Sequence, residues 1–390
     1  MAKQDGTGPY KKRKIDPVGI RRGISAADLI DGYYLAYNSA RLKEAAQLLV
    51  KKVLEPDVTV GVSLSGALTP AGLGAGVLIP LIEAGFIDYI VSTGANLYHD
   101  IHFGIGYDLF ESTPFVDDVD LRKRKLIRIY DIVFDQDVLL DSDAYVRRVC
   151  RQPEFQKTMG TTELHWLLGK YVDATEKALG MKRRSLLAAC YRADVPIFTP
   201  APGDGTIGMN IAAAELTGSA LKLDMTRDIC ESAAYVYDAK ASGGKSAVLI
   251  LGGGTPKNYM LQTEPFIQEI LYVNEKGHDY FIQITDARAD TGGLSGATPN
   301  EAVTWGKVDP EQLPDSIVCY TDSTIAAPLL AAYMLSRHKP RALKRLYRRR
   351  EAVVGALVKA GARQKKRILG VEQRMAGHVT GKGRGGNRGR

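Results

Sequence analysis

The chain reads as an α/β protein with a doubly wound, mostly parallel sheet, helices on both faces, and flexible basic termini. Three observations predict this fold. Short apolar runs rich in β-branched residues recur along the middle of the chain. Stretches of helical periodicity separate them. Small polar residues or glycine (Ser92, Gly252, Thr285, Thr321) stand where several runs end. Short continuous apolar runs suit strands buried on both faces. Their alternation with helices selects a parallel sheet.

In chain order, strands are predicted over 58–62, 89–91, 197–199, 220–223, 247–251, 280–284 and 317–320. Helices are predicted over 73–84, 121–134, 142–151, 163–179, 185–192, 210–216, 226–240 and 325–337. The basic run Arg341–Arg350 reads as the solvated face of a helix continuing into Glu351-Ala352-Val353-Val354. Sheets of this kind bind ligands outside the carboxyl ends of their strands.

A chain of 390 residues is long enough for a large core, and 45% hydrophobic residues is ordinary for a globular protein. No apolar run reaches the roughly 18 residues of a membrane helix, and the N-terminus lacks an apolar signal core. The four cysteines, Cys150, Cys190, Cys230 and Cys319, are widely spaced, which argues against a zinc site or a disulfide framework. A cytoplasmic protein with no membrane contact is expected.

The net charge of +8 is unevenly spread. Residues 361–390 hold nine Lys/Arg against one Glu, and residues 1–23 hold seven Lys/Arg against two Asp. The body therefore carries a net −5 between two basic segments. The expected division is a flexible segment 1–23, a single catalytic domain 24–360 and a Gly/Arg-rich tail 361–390. An acidic body suits a cationic substrate, and equally suits solubility. The runs Lys11-Lys12-Arg13-Lys14 and 381–390 have too few apolar residues to offset the entropy of ordering. The tail also allows weak, nonspecific RNA contact.

The stretch Glu301-Ala302-Val303-Thr304-Trp305-Gly306-Lys307 carries the most chemistry. A lysine against an aromatic wall loses solvation and deprotonates more easily. A neutral amine attacks a carbonyl or imine carbon and holds it covalently. Glu301 can bind a cationic amine or handle a proton. Gly252-Gly253-Gly254 follows a strong strand and precedes a helix start at Thr255-Pro256. There, glycines let phosphates approach amides at a helix N-terminus, or simply make a tight turn. Gly243-Gly244-Lys245-Ser246 imitates a Walker A ending, but it precedes its strand, which excludes nucleoside triphosphate binding. His99 and His102 share a helix face, yet nothing nearby completes a metal set, so no metal is expected. Asp204 could cap the helix that follows it.

Five segments together resemble the deoxyhypusine synthase family. Glu301–Lys307 is similar to its EAVSWGK segment, and Leu251–Gly254 with Lys257 to its LGGG-x-x-K. Pro200-Ala201 with Asp204–Gly208 resembles PAxTDGSxG, Val91–Ala95 resembles VTTAG, and Tyr320–Ser323 resembles YADAS. Their order and spacing hold from about residue 55 to about residue 335. The resemblance implies a Rossmann-like NAD-binding fold and a homotetramer with sites at subunit interfaces. It implies a polyamine donor, and an acceptor that is a protein lysine or a small diamine. Lys307 would be the covalent centre, with Glu301 and Trp305 beside it. NAD would meet Thr93, Gly94, Asp204, Gly252, Gly253, Gly254, Asp286, Ala287 and Asp322. His99, Asn258, Met209, Asp290 and Leu294 fall at positions facing substrate.

The chain departs from that family where polyamine is held. Met209 and Leu294 stand in place of aspartates, Asn258 in place of a histidine, and His99 in place of a glutamate. Thr291 replaces a further aspartate, with Asp290 adjacent. An unpaired ammonium buried beside Met209 and Leu294 is costly. The expected activity is NAD-dependent transfer of an aminoalkyl group through a Lys307 imine, with a donor or acceptor less charged than the family's. Rival readings are a homospermidine synthase-like transferase of small amines, a net amine dehydrogenase, and a scaffold that has lost the chemistry. A protonation switch at His99 in the ordinary histidine range is also expected.

Overall fold

In the computed structural model, residues 14–182 and 184–379 are described. The expected flexible stretches at residues 11–13 and 381–390 lie outside the described residues. The central sheet has six strands: β1 (Val58–Leu64), β2 (Tyr89–Ser92), β3 (Ile197–Phe198), β4 (Lys245–Leu251), β5 (Tyr280–Thr285) and β6 (Ser316–Tyr320). Their spatial order is β3-β2-β1-β4-β5-β6, and every neighbouring pair is parallel. The order reverses between β1 and β4, which pair in register from Val58↔Lys245 to Leu64↔Leu251. This is the dinucleotide-fold order, with the switch point between its first and fourth strands.

Alternation along the strands feeds two cores. Val58, Val60, Val62 and Leu64 join Ala247, Leu249, Leu251 and Ile282 on one face. Tyr89, Val91, Val248, Ile250 and Phe281 point to the other, against Ala233 and Val236 of the Met225–Ala241 helix and Leu357 of the Leu346–Arg363 helix. Each fully buried Val, Leu or Ile contributes about 1.5–3 kcal/mol, and helix residues such as Leu168, Leu187 and Leu330 share the first core with the sheet. Gly61 of β1 pairs with Tyr89, and a Cβ at Gly61 would lie 2.2 Å from the Tyr89 ring. The glycine is what admits that large ring to the second core.

Four stretches differ from expectation. In the run Arg341–Arg350 the helix begins only at Leu346, because Arg345 takes a left-handed conformation, and the Arg341 side chain is only 5% exposed and meets Asp88 at 3.1 Å instead of facing solvent. Residues 121–134 are not one helix. A helix ends at Lys123, and Leu126–Ile129 pairs antiparallel with Ile132–Asp135. The Ile and Val residues there favour strands, and Tyr130 at φ 53° closes a two-residue hairpin turn. The run 220–223 yields only Lys222–Leu223, which pairs with Thr158–Met159 outside the main sheet. It is short because Gly218 turns the chain at φ 91° just before it and Asp224 caps the next helix just after it. The described part of 361–390 is helical: one helix runs through Arg363 and another spans Lys365–Val379. Among the described residues no helix is long and apolar enough to cross a membrane.

Candidate active site

The loops at the switch point lock together through hydroxyls. The Ser65 hydroxyl follows β1, donates to Leu251 O at 3.1 Å and accepts from Gly253 N at 2.9 Å. Gly254 N donates to Ser295 Oγ at 2.8 Å. Gly252 stands at φ 86°, and a Cβ on it would lie 2.0 Å from Ser65 Oγ. A Cβ on Gly253 would lie 2.5 Å from Ser295. The glycines therefore make room for Ser65 and Ser295, and the amides of Gly253 and Gly254 are already bonded. The helix Gly254–Leu261 starts here, with its N-terminus at the switch point.

The neighbouring loop after β2 is tied to the same place. Thr93 caps the Gly94–Gly104 helix and donates to Gly66 O at 2.6 Å. Gly94 packs on Gly205, whose Cα would lie 3.2 Å from a Cβ at Gly94. Asp204 does not cap the Thr206–Leu216 helix. Gly205 takes the N-cap place with no side-chain bond, because Asp204 ends a separate turn, Pro202–Asp204, and stays exposed. Asp322 does cap its helix, accepting from Thr324 N at 2.7 Å. Asp286 is exposed after β5, where Ala287 N bonds back to Thr285 Oγ1 at 3.1 Å. Exposed carboxylates thus stand beyond the ends of β3, β5 and β6.

Lys307 sits after the short helix Pro299–Thr304, which Thr298 caps by accepting from Glu301 N at 3.3 Å. Gly306 takes φ 65°, and Lys307 N closes on Ala302 O at 3.0 Å. Lys307 Nζ then lies 5.7 Å from the Trp305 ring centroid and donates to Asn258 Oδ1 at 3.1 Å. Partial burial lowers its pKa, and Glu301 opposes that shift. Trp305 itself is 57% exposed, so one face of this wall is open.

Beside it, Lys257 is 2% exposed and donates to Gln283 Oε1 (2.9 Å), Ala297 O (2.7 Å) and Ser295 O (3.2 Å). Burial first, then the Lys307 charge, push Lys257 down to about 8, against Glu301. Lys257 thus clamps the loop leading to Glu301 onto the glycine turn. Asn258 also lines a cavity of about 500 Å³ together with Ser232, Thr255, Tyr259, Gln262 and Phe266. No charged side chain lines it.

The structure brings Lys307, Glu301, Trp305 and Asn258 together, with Lys257 behind them. It does not bring the other substrate-facing candidates into bonds with this group. Asp290 pairs with Arg288 through two bonds of 3.0 and 2.7 Å. Met209 and Leu294 are 63% and 49% exposed. His99 Nδ1 lies 3.1 Å from His102 Nε2, and His102 Nδ1 lies 2.6 Å from Ser142 Oγ. Burial pulls His99 down to about 4 and His102 to about 3. The expected switch at His99 therefore moves far below the ordinary histidine range, and the ring is neutral near pH 7.

Sequence reasoning missed Ser65, Gln283 and Ser295. Ser65-Gly66 directly after a strong strand was the available signal for the first. Gln283 lies inside an apolar strand, where a buried amide is conspicuous.

The family described as "Deoxyhypusine synthase" matches residues 28–334. A "Deoxyhypusine synthase-like protein" of Nostoc punctiforme is 58% identical over 359 residues, covering 92% of this chain and 90% of that protein. A protein of the same description from Thermosynechococcus vestitus is 60% identical over 88% of this chain and 86% of its own length. A "Probable deoxyhypusine synthase 2" of Methanosarcina acetivorans is 34% identical over 81% of this chain and 88% of its own. A solved structure from Entamoeba histolytica, assigned to deoxyhypusine synthase, matches with a TM-score of 0.55. It does so at 14% identity over 85% of this chain and all of that one, a likeness of fold. The chain is a transferase of the deoxyhypusine synthase family.

Proposed function

We propose that this enzyme moves an aminoalkyl group from an amine donor to an acceptor amine, with NAD as its cofactor and Lys307 as the covalent carrier. The observation that carries the proposal is the half-buried Lys307 amine. It is held by Asn258 against Trp305, and burial favours its neutral form. NAD would lie in the switch-point crevice, where Asp204, Asp286 and Asp322 offer exposed carboxylates to ribose hydroxyls. When bound, it supplies the hydride acceptor for the carbon next to the donor nitrogen and returns the hydride at the end.

The protein's own groups do the rest. Lys307 Nζ attacks the electrophilic carbon, and the donor's departing amine takes a proton. Glu301 is placed to carry that proton, and Asn258 keeps the attacking nitrogen oriented. The acceptor amine then displaces Lys307 and regenerates its free amine.

The cavity beside Asn258 has no charged lining residue, which supports a donor or acceptor with one charge fewer than a family polyamine. A protein-lysine acceptor, a small-diamine acceptor and a homotetrameric assembly belong to the same proposal. The test is mass spectrometry of the protein after NAD, an amine panel and borohydride. A stable adduct on Lys307 with a less charged amine is expected. NADH accumulating with amine alone, without an adduct, would replace transfer by net amine oxidation.

A further inference from the structure

The Lys307 turn rests on a buried polar cluster that the proposed chemistry does not use. Gly306 O accepts from Gln268 Nε2 at 2.7 Å. Gln268 Oε1 lies 2.8 Å from where a Cβ on Gly306 would stand. The same amide nitrogen lies 3.3 Å from Glu264 Oε2. Glu264 is wholly buried, and its Oε1 has no hydrogen-bond partner. On the other side, Lys307 O accepts from His278 N at 3.0 Å. His278 is also wholly buried. The two carbonyls flanking the Lys307 nitrogen and Cα are therefore both fixed from the interior, one by a side chain and one by backbone.

A peptide at φ 65° has only weak local preference for its own orientation. Its carbonyl is a helix-end acceptor with no partner inside the helix. Whatever bonds that carbonyl decides where the next side chain leaves the backbone. Burial pushes Glu264 up to about 8, despite Lys240 3.8 Å away, so an uncharged acid faces Gln268 at neutral pH. The Gln268 amide nitrogen carries two hydrogens, so it bonds Gly306 O and Glu264 Oε2 together.

We propose that Gln268 is a positioning residue for Lys307: its amide fixes the Gly306 peptide and so holds the lysine amine against Trp305 and Asn258. This inference rests on the reading of Lys307 as the reactive amine, and its test needs neither NAD nor substrate. The probe is acetic anhydride. Peptide mass spectrometry follows acetylation of Lys307 against pH, with the exposed Lys177 as an internal reference.

In wild type the Lys307 midpoint should lie below the ordinary lysine range, because burial lowers it. Gln268→Met keeps the volume and removes the bond. It should raise the Lys307 midpoint by about one pH unit, which is about tenfold less labelling near pH 8, with Lys177 unchanged. A lowered melting temperature with an unmoved Lys307 midpoint means that Gln268 serves stability alone, and overturns the proposal. If Gln268→Met does not fold, Gly306→Ala sets a Cβ against Gln268 Oε1, disturbs the same contact and carries the same expectation. Glu264→Gln keeps an uncharged partner and should leave the midpoint at the wild-type value. A wild-type protein that labels normally yet forms no adduct with any amine would refute the proposed transfer and leave the positioning result standing.

Discussion

Replacing Asn258 by aspartate puts a carboxylate where an amide oxygen now sits 3.1 Å from Lys307 Nζ. The new charge stabilises the ammonium form. At 3.1 Å the Coulomb energy is about 1.3 kcal/mol in water and about 2.7 kcal/mol at an effective dielectric of about 40, a suitable range for a half-exposed pair. Division by about 1.4 kcal/mol per unit gives a rise of about one to two pKa units. The free amine at pH 8 then falls by about ten- to a hundredfold. If that amine is the nucleophile, single-turnover adduct formation should fall by the same factor at pH 8. It should recover as the pH is raised, while NAD affinity stays at the wild-type value. Acetylation of Lys307 against pH measures the shift directly. An unmoved or lowered midpoint would show that Asn258 does not set the state of this lysine, and the reasoning from their contact would be wrong.

The same structure carries two other expected outcomes. Asp322→Ala removes a helix cap as well as a proposed cofactor contact, so it should lose about 1 kcal/mol of stability and weaken NAD by on the order of tenfold. Asp204→Ala, which caps nothing, should weaken NAD without the stability loss, and unchanged affinity in both variants rejects the cofactor placement. Burial pushes Glu231 up to about 7 and Glu264 to about 8, whereas an unfolded glutamate titrates near about 4.3. Across that interval the native state holds more protons, so stability falls as pH rises. The buried His99, His102, His165 and His278 act oppositely, but only below about 6.5, where unfolded histidine gains its proton. The melting temperature should therefore fall between about pH 6.5 and 8, and Glu264→Gln should flatten that slope; an equal slope in both proteins rejects the neutral Glu264.

What the sequence made legible was whatever lies close together along the chain. The strands at 58–62 and 247–251 announce themselves as β-branched runs with one face for each core. The Gly252-Gly253-Gly254 turn and the Trp305-Gly306-Lys307 turn are likewise local, and both hold in the structure. Residues 121–134 read as a helix because the short apolar stretch Leu126–Phe134 does not by itself distinguish a helix from strands. The left-handed Lys125 and Tyr130 decide for the hairpin, the first ending the helix before it and the second closing its turn. The support under Lys307 was not legible at all. Gln268 and Glu264 lie one helical turn apart, but they meet the Lys307 turn and His278 only when the chain folds. The occupied amides of Gly253 and Gly254 were hidden for the same reason, since Ser65 and Ser295 are 230 positions apart in the numbering and meet at the switch point.

The central claim is that Lys307 carries the transferred group. Purified wild-type protein incubated with NAD and each amine of a graded-charge panel, then reduced with borohydride and digested, tests it most directly. The account predicts one modified peptide, Lys307 within it, absent from Lys307→Ala and Lys307→Arg although both still bind NAD. Transfer that persists in Lys307→Ala, or an adduct found on Lys257 instead, would contradict it.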